Sequence, residues 1–265
     1  MQWGLKQIMA GAVVAAIGSA QASVVIGPSG SPLNGWTVEG LAGIKLDLSG
    51  DMLGFLDTSK TSVQVYGASS TVVSKDTDGY YTQVASSTLI TSMTVDANQS
   101  LQALTSTGGL TLVTPLAKSV SSGGSLTITD LAVDLVNKKI FGDVIGANGV
   151  GAVAHVPLMN IESITGSTSV AFASCTAEFV PRCTYGVPNF SLSGLAFTSE
   201  GANVFSQSLG LLTLGKAALP IVNDGFGFVS KTYLPEPSSY ALMGLGLAGI
   251  WATQRRRYRS QRLSD

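Results

Sequence analysis

The chain has 265 residues, a formal net charge of −1 and a charged fraction of only 12%. Its hydrophobic fraction of 45% supplies enough apolar side chains for a core, which argues against a disordered or coiled-coil protein. Because the chain has one histidine and no second cysteine cluster, a zinc site at the two cysteines is not indicated, and we expect no metal and no cofactor.

The N-terminal segment has the parts of a secretory signal peptide. Lys6 is its one basic residue, an apolar run covers residues 8–17, and Ala20 and Ala22 supply the small side chains that signal peptidase reads. We therefore expect a signal helix over residues 1–22, export through the Sec translocon, and cleavage before Ser23.

The central domain is expected to span residues 23–232 and to lie outside the cell. It contains nine Lys or Arg against fourteen Asp or Glu, a net charge of −5, which argues against nucleic acid as a partner. Cys175 and Cys183 lie in an exported chain, where a disulfide is the usual state of two cysteines. The sequence thus predicts a short disulfide-closed loop, stiffened by Pro181.

The central domain is rich in Gly, Ser, Thr and Val, and short β-type runs alternate with turn residues. This pattern favours a mainly β fold, sandwich-like or an open barrel, with one or two short helices. The predicted strands cover residues 36–48, 62–66, 71–75, 80–85, 89–95, 110–113, 125–145, 150–159, 168–174 and 190–197.

Three further segments carry predictions of their own. Residues 97–104 are interpreted as one or two helical turns, and residues 118–124 as a linker or long loop. Residues 200–209 predict a helix that is capped by Thr198 or Ser199 and turns Phe205 and Leu209 inward.

The alternation of apolar residues changes parity in the middle of the longest β run. Leu126 and Ile128 alternate with polar residues, and then Leu131 and Val133 continue on the opposite parity. A strand keeps both sets on one face only if it contains an extra residue, so we expect a bulge or corner at Asp130.

Two groups of aspartates resemble calcium-binding loops. Asp76-Thr77-Asp78-Gly79 begins like such a loop, but Tyr80 occupies a ligand position and the closing glutamate is missing, so a turn is the favoured interpretation. The second group surrounds two glycines and is either a solvated loop or a low-affinity calcium loop; it consists of Asp47, Asp51 and Asp57.

No pattern of catalytic residues stands out, and we expect no catalytic residue. The inferred change of parity separates Asp130 from Asp134, so no glycosidase-like carboxylate pair is indicated. His155 lies in an apolar strand, where a structural histidine is the favoured interpretation. The sequence also lacks a nucleophile elbow, a zinc-protease helix and a P-loop.

The C-terminal segment, residues 233–265, consists of three blocks. Pro235, Glu236 and Pro237 form a rigid, extended segment. Residues 238–253 are uncharged and would span roughly 24 Å as a transmembrane helix, which is short against a hydrocarbon core of about 30 Å. A basic cluster follows and is expected to stay cytoplasmic; it comprises Arg255, Arg256, Arg257, Arg259 and Arg262.

These three blocks resemble a PEP-CTERM sorting domain, a likeness that covers about thirty residues. The resemblance implies cleavage by exosortase near Pro235–Pro237 in a Gram-negative bacterium, after a transient stay in the inner membrane. It further implies a cell-surface or extracellular location and an association with exopolysaccharide and biofilm.

Residues 124–131 are similar, in β-strand pattern more than in motif, to HtaA-type haem-binding domains. Those domains use a Tyr and a His in a pocket, so the resemblance implies a comparable site only if His155 meets a tyrosine. The candidate tyrosines are Tyr66, Tyr80, Tyr81 and Tyr185.

Three hypotheses about function follow. The first, which we favour, is a non-catalytic surface or matrix protein delivered by exosortase. The second is a ligand-binding module for haem or glycan, and the third is a polysaccharide-acting hydrolase that uses carboxylates.

Overall fold

A computed structural model describes residues 24–26, 36–38, 41–170, 172–176, 182–222 and 226–233. The strands are β1 Val24–Ile26, β2 Trp36–Val38, β3 Leu41–Leu48, β4 Ser62–Tyr66, β5 Ser69–Lys75, β6 Tyr81–Val95, β7 Leu101–Thr107, β8 Gly109–Ala117, β9 Ser121–Asp134, β10 Lys139–Gly146, β11 Gly151–Gly166, β12 Phe172–Thr176, β13 Arg182–Tyr185, β14 Phe190–Phe197 and β15 Phe226–Tyr233. The helices are α1 Gly50–Ser59, α2 Ser199–Ser208 and α3 Thr213–Val222.

Twelve strands form one large antiparallel sheet, which follows the order β1-β6-β3-β15-β14-β11-β10-β9-β8-β4. β7 pairs with both β6 and β9, so the hydrogen-bonded path from β6 through β3, β15, β14, β11, β10 and β9 returns to β6. We call this closed path the strand ring. β4 and β5 lie beside it, paired with β8 and β6 respectively.

The expected irregularity at Asp130 is present. Asp130 has a φ of +50°, and its backbone N–H donates to the carbonyl of Gly108, which has a φ of +85°. Leu126 and Leu131, on either side of this position, are both buried. The extra residue therefore lets both halves of β9 face the core, as the change of parity predicted.

The same irregularity continues into the two neighbouring strands. The register between β9 and β10 shifts between Phe141 and Asp143, and the register between β10 and β11 shifts between Gly142 and Val144. Opposite this point His155 has a φ of +54°. Bulges bend strands and increase their twist, so a row of them across adjacent strands curves this part of the ring.

Helices α1 and α2 meet the inside of the sheet through aromatic side chains. Phe205 of α2 is 1% exposed, and its ring centroid lies 5.7 Å from that of Phe55 in α1 and 5.2 Å from that of Phe197 in β14. Thr198 caps α2 by accepting the N–H of Gly201 at 2.9 Å. Leu209 is also fully buried, so the predicted cap and inward face are confirmed.

Two predictions about local structure are wrong. Residues 97–104 contain no helix, because Leu101 begins β7, whose alternating buried residues pair with β6 and β9. Residues 118–124 are not a long loop, because Ser121 already pairs with Ala117 across a tight hairpin turn. The polar, Gly/Ser-rich composition of this segment suggested an exposed loop. Ser121 is instead 1% exposed, and its hydroxyl donates a hydrogen bond to the Leu209 carbonyl.

The mainly β fold is confirmed, but the described residues contain three short helices instead of one or two. None of them is both long and apolar enough to cross a membrane. The expected signal helix over residues 1–22 and transmembrane helix over residues 238–253 lie outside the described residues.

A second, three-stranded sheet has the order β12-β13-β2. Its register pairs Cys175 with Cys183 at the Cα level across an antiparallel hairpin. Residues directly opposite each other in such a pair have Cβ atoms about 4.5–5.5 Å apart, which is near the range of a disulfide. The two side chains lie outside the described residues, so the bridge stays a prediction.

Replacement of Phe205 by alanine should lower the free energy of unfolding by about 3–5 kcal/mol, because a buried aromatic between two helices and the sheet is lost. Chemical denaturation of the purified protein measures this change. Leu116→Ala is the matched control, since Leu116 is 80% exposed and should change stability by less than about 0.5 kcal/mol. Equal effects of the two substitutions would contradict the assigned core.

Candidate functional site

A surface cleft with polar walls lies where the end of α1 meets the turn between β5 and β6. Its volume is about 200 Å³. We call it the Tyr80 cleft; its walls are Leu56, Asp57, Lys60, Thr61, Ser62, Lys75, Asp78, Gly79, Tyr80 and Tyr81.

The α1 side of the cleft is fixed by the way the helix ends. Lys60 adopts a left-handed conformation with a φ of +56°, and its N–H donates back to Asp57 and Leu56. Thr61 then joins a buried chain of hydroxyls, 2.6 Å from Ser59 and 2.7 Å from Thr114 of β8. The chain anchors the cleft floor to the large sheet.

The opposite wall is a tight turn built by Asp76. Its Oδ1 accepts the backbone N–H groups of Asp78 at 3.0 Å and Tyr80 at 2.9 Å, and its own N–H donates to the Tyr80 carbonyl. Gly79 has a φ of +87°, which glycine adopts without steric cost. These bonds hold the Tyr80 backbone in one conformation.

Tyr81 connects the two walls. Its backbone N–H lies 3.2 and 3.1 Å from the two carboxylate oxygens of Asp57, and its phenol donates to the Thr61 carbonyl at 3.0 Å. The Lys75 ammonium lies 4.1 Å from the centre of the Tyr81 ring, a cation–π contact. The cleft is therefore a preorganised structure whose wall charges, two lysines and two aspartates, balance.

A second cavity lies in the core and is lined by apolar residues of α1, α2 and the large sheet. Its volume is about 30 Å³, which is room for about two or three water molecules. The hydroxyl of Thr88 in its lining has no partner among the described residues. Pockets that hold drug-sized ligands measure about 300–1,000 Å³, so this cavity is far smaller than a haem pocket.

The Asp76–Gly79 sequence forms a turn, as favoured. Both interpretations of Asp47, Asp51 and Asp57, the solvated loop and the calcium loop, are wrong, because helix α1 occupies the segment between them and buries Met52, Phe55 and Leu56. Asp47 pairs with Lys45 at 2.8 Å, and Asp57 accepts the Tyr81 N–H. No group of three or more His, Cys, Asp or Glu side chains comes together in the part of the chain that the structure describes.

The remaining candidate carboxylates hold turns and bulges. Asp130 accepts the Thr107 hydroxyl at 3.0 Å, and Asp134 accepts the backbone and side-chain N–H groups of Asn137 at 2.8 and 2.7 Å. The two carboxylates therefore have separate structural partners.

His155 does not line the Tyr80 cleft or the core cavity. It is exposed, its N–H donates to Asp143 at 2.8 Å, and its ring stacks on Phe141 with 4.3 Å between centroids. Neither cavity therefore brings His155 together with a candidate tyrosine, whether Tyr66, Tyr80, Tyr81 or Tyr185. Burial raises the pKa of the Tyr185 phenol above its ordinary value.

The residues predicted to guide export and sorting lie outside the described residues. They are Ala20, Ala22 and Ser23 at the signal-cleavage site, Pro235, Glu236 and Pro237 in the sorting motif, and the five arginines between positions 255 and 262.

Comparison with known proteins identifies the C-terminal region. Residues 234–257 match the PEP-CTERM protein-sorting motif, so the chain carries this motif as predicted. No curated protein matches the chain.

Two solved structures from Corynebacterium glutamicum are loosely similar in fold to this chain. The C-terminal domain of HtaA has a TM-score of 0.38 and 12% identity, with coverage of 72% of this chain and 97% of that one. Heme binding protein HtaB has a TM-score of 0.39 and 8% identity, with coverage of 79% and 95%.

Sequence reasoning treated Tyr80 as a failed calcium ligand or a partner of His155 and missed its role as a cleft wall. The signal was present in part, because an aspartate that can accept the backbone N–H two residues on, followed by a glycine, is typical of an Asx-type turn. Asp57, which reaches Tyr81 over 24 positions, could not be found from local pattern.

Exported protein should show no free thiol when alkylated without reductant, because Cys175 and Cys183 lie opposite each other at the Cα level and export would place them where disulfides form and persist. Mass spectrometry counts the labels, and a reduced, denatured sample should carry two. Two labels on the folded, exported protein without reductant would disprove the bridge. Its loss in a Cys175→Ser/Cys183→Ser variant should cost about 2.5 kcal/mol.

Proposed function

We propose that this chain is a non-catalytic surface or matrix protein that exosortase sorts and cleaves, and that associates with exopolysaccharide. The observation that carries the proposal is the PEP-CTERM motif at residues 234–257. The host is a Gram-negative bacterium, and the Sec translocon, signal peptidase and inner membrane act on the chain before its release to the cell surface.

The position of the motif supports cleavage that leaves the folded domain whole. β15 ends at Tyr233, and the motif match begins one residue later. β15 pairs with β3 along its whole length and with β14 over three residues. A cut between residues 235 and 239 therefore removes the hydrophobic segment and its arginines without removing a strand of the ring.

The non-catalytic part of the proposal is supported by what the aspartates contact. Asp57, Asp76, Asp130 and Asp143 each accept hydrogen bonds from backbone N–H groups or a hydroxyl that fix a turn, a bulge or a helix end. Carboxylates in such positions serve the fold. General acid–base hydrolysis of glycosides instead uses two free carboxyl groups that flank the substrate.

The second candidate function is a ligand-binding module, and the Tyr80 cleft favours glycan as the ligand. The cleft presents an exposed aromatic ring beside charged and hydroxyl groups. Haem is less well supported, since His155 stacks on Phe141 away from the cleft.

Replacement of Pro235, Glu236 and Pro237 together by alanines should block cleavage while membrane insertion persists, because the apolar run and arginines are unchanged. Cell fractionation with an antibody against the central domain should find this variant in the inner membrane. Ser238→Ala/Ser239→Ala is the matched control and should be released like the parent. Release of the triple-alanine variant at the normal rate would contradict the assigned motif.

Replacement of the five arginines by glutamine should reduce retention at the membrane before cleavage. The cluster opposes translocation, and each arginine adds about 1 kcal/mol of attraction to anionic lipid. Replacement by five lysines keeps the charge and should preserve retention. If the glutamine variant is retained and cleaved like the parent in the same fractionation, the cluster does not set the topology.

A further inference from the structure

The exposed ring of Tyr80 is the first feature that suggests a ligand. Tyr80 is 53% exposed, although it lies directly beside a cleft that could have buried it. The Asp76 carboxylate accepts the Tyr80 N–H, and the Asp76 N–H donates to the Tyr80 carbonyl. The backbone of Tyr80 is therefore ordered before any ligand arrives. A preorganised aromatic ring loses little conformational entropy when it binds a partner.

Two charged groups in the same cleft have no partner among the residues that the structure describes. The Lys60 ammonium and the Asp78 carboxylate make no hydrogen bond or ion pair with any other described side chain or backbone group. One is a donor and the other an acceptor, and the Tyr80 hydroxyl can act as both. The cleft therefore offers one aromatic face, one donor and one acceptor.

This combination matches the chemistry of a sugar ring. A pyranose has a C–H face that packs on an aromatic ring, and its hydroxyls both donate and accept hydrogen bonds. An anionic ligand is less well matched, because Asp57 and Asp78 offset the charges of Lys60 and Lys75. The cleft volume of about 200 Å³ is below that of pockets for drug-sized ligands, so it suits one ring of a longer chain.

We propose that the Tyr80 cleft is a binding subsite for one neutral hexose unit of a polysaccharide. Tyr80 stacks on the ring, Lys60 donates to a ring hydroxyl, and Asp78 accepts from another. The inference rests on the proposed function only for the source of the glycan.

The cleft binds the sugar without cleaving it. Both carboxylate oxygens of Asp57 face the Tyr81 N–H and hold the two walls together, which leaves Asp78 as the free carboxylate in the cleft. Hydrolysis with retention or inversion uses a second carboxyl group as nucleophile or base.

The test measures binding of the full-length chain, purified in mild detergent, to cellohexaose, maltohexaose, mannohexaose and the acidic hexamer of galacturonate by isothermal titration calorimetry. At least one neutral hexasaccharide should bind. Tyr80→Ala should weaken that binding by about tenfold or more, as expected for loss of a stacking ring, and Tyr80→Phe should retain it. Lys60→Ala and Asp78→Ala should each weaken binding as well, because they remove the proposed donor and acceptor.

Tyr66→Ala is the matched control, because Tyr66 is also exposed, at 38%, but lies on β4 outside the cleft. It should bind like the parent. The proposal is overturned if no neutral hexasaccharide binds at millimolar concentration, or if the galacturonate hexamer binds more tightly than the neutral hexasaccharides. It is also overturned if Tyr66→Ala and Tyr80→Ala weaken binding equally, or if the oligosaccharide is cut. Because this assay needs no export, its failure leaves the sorting experiments above unaffected, and their failure leaves this result unaffected.

Discussion

The curvature of the strand ring depends on a row of backbone irregularities that crosses adjacent strands. Gly108, Asp130 and His155 have positive φ angles at this level, and β10 changes register between them. Carboxylates stabilise the row from the outside, since Asp130 accepts the Thr107 hydroxyl and Asp143 accepts the His155 N–H. Without these extra residues, one half of β9 would turn its apolar side chains to solvent. The core inside the ring is thus a consequence of the bulges.

Closure of the ring also links the fold to the proposed route of export. β15 fills the position between β3 and β14, yet it is the last strand before the sorting motif at residue 234. If the chain is exported as proposed, the ring is complete only after residue 233 has crossed the membrane, and the hydrophobic segment then follows at once in the sequence. In the proposed function this order gives exosortase a folded domain with its cleavage motif directly beyond the final strand.

The sequence predicted those features that are encoded locally. The change of parity located the bulge at Asp130, and the cap and spacing located α2. Pairing of strands far apart in the chain has no local signal, so the ring, and with it the strand identity of residues 101–107, was missed. The Tyr80 cleft was missed for the same reason, because the contact of Asp57 with Tyr81 joins a helix to a distant hairpin. The sorting motif needed no fold at all, which is why sequence alone identified it.

The most direct test of this account is the intact mass of the protein released from the cell. The account predicts a chain that begins at Ser23, retains β15 through Tyr233, and ends between Pro235 and Ser239. Such a product would contain the whole ring and none of the arginines. Released protein that still contains residues 255–262, or that ends before Phe226, would contradict the claim that a complete domain is cut from its membrane segment just beyond its final strand.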